Sequence, residues 1–110
     1  MPAAYKVLGQ SAPANTSNAN VYTVPSATSA VVSSIVVTNT TAISATARIF
    51  VRVGGAAAAA GNALVYDTSF LPNSTTAFTL GITLATTDIV TVQTGTANAI
   101  TFQVFGSELT

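Results

Sequence analysis

The chain is predicted to be all-β, a single antiparallel β-sandwich of about eight strands, jelly-roll or immunoglobulin-like, with an extended N-terminal arm. Three observations predict it. Thr, Val and Ala dominate while Lys, Glu, Gln and Arg are nearly missing, a composition that favours strands over helices. Apolar and polar residues alternate with period two in several runs. Turn-forming residues separate those runs at short intervals, with no helical period between them.

In chain order, residues 6–8 make a first short strand. The segment 11–20 is small and polar with Pro13 inside it, and reads as a loop or extended arm. Residues 1–20 are therefore assigned to an N-terminal strand and arm, and residues 21–110 to the sandwich body. Strands follow at 21–24 and 30–38, separated by Pro25-Ser26 and closed by Asn39-Thr40-Thr41. In 47–53, Ala47, Ile49, Val51 and Val53 share one face, and Arg48, Phe50 and Arg52 the other. Gly54-Gly55, residues 56–60 (all Ala) and Gly61 come next. So short an alanine run does not sustain a helix in water. It reads as a small-residue hairpin loop, or as a surface made flat for a neighbouring chain. Beyond a strand at 64–67 and a turn at Leu71-Pro72-Asn73, residues 77–84 put Phe78, Leu80, Ile82 and Leu84 on one face. Residues 88–93 and 99–105 complete the set. In the last of these, Ile100, Phe102 and Val104 oppose Thr101, Gln103 and Phe105.

At 110 residues and 11.0 kDa the chain makes one domain. Lys6, Arg48 and Arg52 balance Asp67, Asp88 and Glu108, and charged residues make up 5% of the chain against about 25% in an ordinary domain. With no basic patch, neither phosphate neutralisation of nucleic acid nor a polybasic membrane anchor is expected. No apolar run approaches the ~18 residues of a membrane span. The first ten residues lack the apolar stretch of a signal peptide, so no export is expected.

Cys and His are absent, which removes thiol chemistry, disulfides, the usual zinc ligand sets and His-based proton transfer. The carboxylates come singly, with no calcium-loop spacing and no sign that two of them meet. Asp88, after Thr86-Thr87, reads as a turn residue bonded to backbone N–H groups. No base is placed to activate a Ser or Thr. Neither an enzyme, nor a cofactor, nor a metal, nor a small-molecule substrate is expected. Asn15, Asn39 and Asn73 open Asn-x-Ser/Thr triplets and read as turn residues.

What remains is assembly. A sandwich guards its edge strands with charge, Pro or bulges, and this chain has little charge to spend on them. One physical resolution is burial of edges and surface in a closed oligomer or shell. The phrases Lys6-Val7-Leu8-Gly9-Gln10, Tyr22-Thr23-Val24-Pro25 and Ala30-Val31-Val32-Ser33-Ser34-Ile35-Val36-Val37-Thr38-Asn39 fit that picture. So do Leu80-Gly81-Ile82-Thr83-Leu84, Asp88-Ile89-Val90-Thr91-Val92 and Phe105-Gly106-Ser107-Glu108. Together they resemble the small β-sandwich virion proteins of tailed bacteriophages, most of all head decoration (cement) proteins.

The resemblance implies a non-enzymatic protein made in the host cytoplasm and located on the capsid surface of the virion. It would bind the major capsid protein, as a homotrimer, and stabilise the head. On that reading Tyr5, Lys6, Val7 and Leu8 pair with a neighbouring sheet, Arg48 and Arg52 are polar anchors, and Phe50 and Phe105 are exposed contacts. A tail, neck or fibre component fits the same residues. A carbohydrate- or receptor-binding module is the other class, and needs an exposed aromatic platform.

Overall fold

Eight strands form where the alternation places them, in a computed structural model that describes residues 3–110. They are β1 (Ala3–Ser11), β2 (Ala19–Thr23), β3 (Ser29–Asn39), β4 (Ala45–Arg52), β5 (Ala63–Phe70), β6 (Thr75–Leu84), β7 (Ile89–Thr94) and β8 (Ile100–Leu109). Two short 3₁₀ turns, Val53–Gly55 and Ala60–Asn62, lie between β4 and β5. The first sheet has the order β1-β8-β3-β6 and the second β2-β7-β4-β5. Antiparallel pairs join β1 to β8, β2 to β7, β3 to β6 and β4 to β5. Each pair nests inside the one before it. The chain is thus one long hairpin, folded at the β4–β5 connection and rolled into two sheets, with β3–β8 and β4–β7 pairing completing them. That order makes the sandwich a jelly roll.

The inward rows make the core. Val32, Ile35 and Val37 of β3 and Ile100, Phe102 and Val104 of β8 are buried against Ala47 and Ile49 of β4 and Val90 and Val92 of β7. Each of the Val, Ile and Phe side chains contributes roughly 1.5–3 kcal/mol on burial. At the sheet's end, Phe78 and Ile82 of β6 are only partly buried and pack on the margin of the core. Buried Asn39 is fully bonded: its amide donates to the carbonyls of Ile43 (2.9 Å) and Phe70 (3.1 Å), and its oxygen accepts from the Thr41 amide and hydroxyl. Asn15 accepts from the Ser17 amide, and Asn73 takes φ 52°. Asn15 and Asn73 stand in turns, as the sequence suggests, whereas Asn39 is the last residue of β3, paired with Ile100, and its side chain braces the turn that follows.

The first twenty residues hold β1, a loop and the start of β2, and both strands belong to the body's sheets. Met1 and Pro2 lie outside the described residues. β1 pairs with β8 from Ala3↔Leu109 to Ser11↔Phe102, with a bulge between Val7 and Gly9. The bulge leaves Leu8 half-buried against the core. Just beyond it β1 crosses close over β2, and Gly9 makes the approach possible: a Cβ there would collide with the Val21 carbonyl and side chain.

One expected exposure is corrected. Phe50 shares the outward side of β4 with Arg48 and Arg52, yet it is 3% exposed and stands outside the main core. The β4–β5 ladder slips twice around Ile49, and the turn Ala60–Asn62 packs against β4. Tyr66 stands edge-on to the Phe50 ring, at 6.3 Å and 82°. Phe50 is therefore covered from within the chain and does not present the exposed contact expected of it.

Gly9→Ala should cost roughly 1–3 kcal/mol by overpacking, read as a lowered urea midpoint. Gly81→Ala, which meets nothing within 4 Å, should change it little; equal losses in the two variants would refute the close-approach account.

Candidate partner-binding face and polar pocket

Strand alternation sorts the first sheet into two unlike faces. β1, β8, β3 and β6 carry two charged residues between them, Lys6 and Glu108. Both sit on the inward side of the β1–β8 ladder, where the Tyr22 hydroxyl of the opposite sheet donates to Glu108 Oε2 at 2.6 Å. The outward face is left without charge among the described residues. Tyr5 (85% exposed) and Val7 (49% exposed) rise from β1. Half-buried Phe105 lies opposite Val7, with Val31 and Val36 of β3 farther across the sheet. Thr, Ser and Gln fill the spaces, and Gln10 donates to Gln103 at 2.9 Å. β1 ends its sheet, so one of its edges has no strand beside it.

Of the residues expected to meet a partner, Tyr5, Val7 and Phe105 come together on this face. Lys6 and Leu8 do not. Lys6 forms an ion pair with Glu108, and Leu8 turns inward at the bulge. The Lys6 ammonium, then the Tyr22 hydroxyl, hold the Glu108 carboxyl below the usual carboxylate range. Burial, reinforced by the bond to Glu108, pushes the Tyr22 phenol well above its ordinary value. The group ties the two sheets at one end of the sandwich.

Arg48 and Arg52 lie on the second sheet, away from that face, and both are engaged within the chain. Arg48 forks onto Asp67, with Nε to Oδ1 at 2.6 Å and Nη2 to Oδ2 at 3.0 Å. Its guanidinium lies 4.1 Å over the Tyr66 ring. The pairing holds Arg48 firmly protonated and Asp67 below its usual range. Asp67 reaches Arg48 from a left-handed backbone (φ 54°) where β5 bulges against β4. Arg52 donates to the carbonyls of Ala56 (2.6 Å) and Gly55 (3.1 Å), and to Asn20 and Thr91. It thereby straps the alanine-rich connection to the sheet. Asn62 helps, donating to the Ala57 carbonyl and accepting from the Ala59 amide. Asp88 accepts from the Gly54 and Ala85 amides, the turn role its sequence context suggests.

Around Arg48 and Asp67 lies a depression of about 220 Å³, walled by Thr16, Thr46, Gln93 and Gly95. Arg48 Nη1 approaches Gln93 Oε1 at 3.5 Å, and Gln93 Nε2 donates to the Thr16 carbonyl at 2.7 Å. Sequence reasoning singles out Arg48 here but misses the rest. The one signal was the polar run Asp67-Thr68-Ser69, which breaks the alternation of its strand.

Exposed aromatics do not gather into a stacking platform. Tyr5 and Tyr66 stand on different sheets, and one face of the Tyr66 ring is taken by Arg48. Comparison of the chain with protein-family models, with curated proteins and with solved structures finds no match.

The depressed acidity of Glu108 sets the sign of a pH effect. A carboxyl whose folded-state pKa lies below its unfolded value stabilises the fold above the unfolded pKa, and that contribution fades as pH falls through the folded one. Glu108→Gln should thus be less stable than the parent near neutrality, with the gap closing below about pH 4. Urea titrations of both chains across that range check it; a gap independent of pH would refute the pairing.

Proposed function

We propose that the protein is a non-enzymatic virion structural protein, a capsid decoration protein that binds the outer capsid lattice and stabilises the head. One observation carries the reading: an outward sheet face that lacks charge and presents Tyr5, Val7 and Phe105 beside the unpaired edge of β1. Exposed apolar residues gathered on one face mark contact sites, and an open strand edge accepts strand addition. Thr- and Ser-rich surroundings lose little side-chain entropy on packing, which suits a contact made once.

Size decides how such a face would work. Four strands about 4.8 Å apart and about 30 Å long offer on the order of 500 Å². That is less than the roughly 800 Å² per partner of a standard stable interface. A single docking is weak. Simultaneous contacts to adjacent copies of the major capsid protein, and among copies of this chain as a homotrimer, supply the missing strength as effective concentration. The scarcity of charge fits this account: Lys6–Glu108 and Arg48–Asp67 form ion pairs, and Arg52 and Asp88 are bonded to neutral groups of the chain, so little net charge is offered to steer a soluble partner. Jelly rolls recur in viral capsid domains, a fold-level analogy that adds to the prior and assigns no site. A tail, neck or fibre role would use the same face at a lower copy number.

Quantitative mass spectrometry of purified particles tests the reading. Abundance comparable to the major shell protein is expected; a few copies per particle would move the protein to the tail or neck, and absence would overturn a virion role. Tyr5→Lys with Val7→Lys should weaken binding to undecorated shells by about tenfold or more, while stability stays within ~0.5 kcal/mol. Unchanged co-sedimentation would exclude this face.

A further inference from the structure

The depression around Arg48 and Asp67 lies on the opposite sheet from the proposed lattice face, and its side chains are arranged more firmly than a surface ion pair requires. Arg48 is fixed from three sides, by the forked carboxylate of Asp67, the Tyr66 ring and the Gln93 amide oxygen. Gln93 is fixed in turn by the Thr16 carbonyl. Asp67 holds a left-handed backbone that costs a non-glycine residue energy. The Gly95 amide donates to the Thr46 carbonyl at 2.8 Å, drawing two strand ends together so closely that a Cβ on Gly95 would strike the Thr46 hydroxyl.

Bonding capacity is left over. A guanidinium has five N–H groups; three of Arg48's are committed, which leaves two for a ligand or water. Each Asp67 oxygen accepts one bond from Arg48 and keeps a second lone pair. The Thr16 and Thr46 hydroxyls have no partner among the described residues. The charges in the depression sum to zero, so an anion meets Asp67 and a cation meets Arg48. A hydroxyl group escapes both penalties, because it donates to the carboxylate and accepts from the guanidinium at once. Neighbouring hydroxyls on one ring can use both members of the pair.

We propose that this depression is a binding site for a neutral, hydroxyl-rich ligand, one sugar residue, recognised by the Arg48–Asp67 fork with Gln93, Thr16 and Thr46 on its rim. The space of about 220 Å³ is large enough for a single sugar ring. No aromatic side chain among the described residues lines the depression, so hydrogen bonds carry recognition and affinity is low, roughly millimolar. The site does not depend on the lattice-binding reading, since the two surfaces belong to different sheets.

Titrating the full chain with glucose, galactose and N-acetylglucosamine, one at a time, tests this by ¹H–¹⁵N NMR. At least one sugar should give saturable shifts centred on Thr16, Thr46, Asp67, Gln93 and Gly95. Asp67→Asn, which tolerates the same backbone, should lower that affinity about tenfold or more. Arg48→Lys, which keeps the charge and loses the fork, should do likewise and serves if the first variant does not fold. Absence of saturable shifts with all three sugars would overturn the proposal. So would tighter binding of acetate or phosphate at the same residues, or unchanged sugar affinity in a folded variant.

Discussion

The fold depends on nested antiparallel pairing, with the first strand along the last as the outermost of four pairs. Nesting of β2–β7, β3–β6 and β4–β5 inside β1–β8, with β3–β8 and β4–β7 contacts, gives the order of both sheets. The nesting brings Tyr22 under Glu108 and places β1 over β2 at Gly9. It also leaves β1 and β6 at the two ends of one sheet and β2 and β5 at the ends of the other. Each of those ends carries an irregularity, β1 between Val7 and Gly9, β2 between Asn20 and Tyr22, β6 between Thr79 and Ile82 and β5 twice, devices that discourage pairing with foreign strands.

Scarcity of charge organises the surface as much as the core. With three cations and three anions, the chain uses each as a fastener. Lys6 and Glu108 close one end of the sandwich, Arg48 and Asp67 hold the bulge of β5 to β4, Arg52 straps down the alanine-rich connection, and Asp88 ties that connection to a turn. Exposed ion pairs contribute little to stability by themselves. Their value here is positional, fixing bulges and connections that small residues cannot hold by packing. The result is one sheet face of Tyr, Val, Phe, Thr and Ser without charge, and one depression on the other sheet where a charged pair stands open to solvent.

Much of the fold was legible because alternation is a backbone-level signal. The rows Ile100, Phe102, Val104 and Phe78, Leu80, Ile82 predict their own inward faces, and Asp88, Asn15 and Asn73 predict their turns, while Asn39 ends a strand and only its side chain serves the turn beyond. Strand order was not legible, since period two says which face a residue takes but not which strand lies beside it. Phe50 misled for a related reason: a ladder slip beside Ile49 and a folded-back connection cover a position that regular alternation leaves outside. The candidate sites divide the same way. Tyr5, Val7 and Phe105 are brought together by the β1–β8 register, whereas Thr16, Asp67 and Gln93 meet Arg48 only through contacts distant in sequence.

Nested closure also sets a schedule for synthesis. Gln10 and Gln103, partners across β1 and β8, are 93 residues apart in sequence. At about 5–20 residues per second, β1 leaves the ribosome on the order of 5–20 s before the strand that covers its edge exists. Through that interval its apolar side chains and open backbone have no partner strand from β8 to cover them. The β4–β5 hairpin, whose strands are made in succession, is the first pair that can form, so the roll closes outward from its tip and the N-terminal strand is the last to find its place.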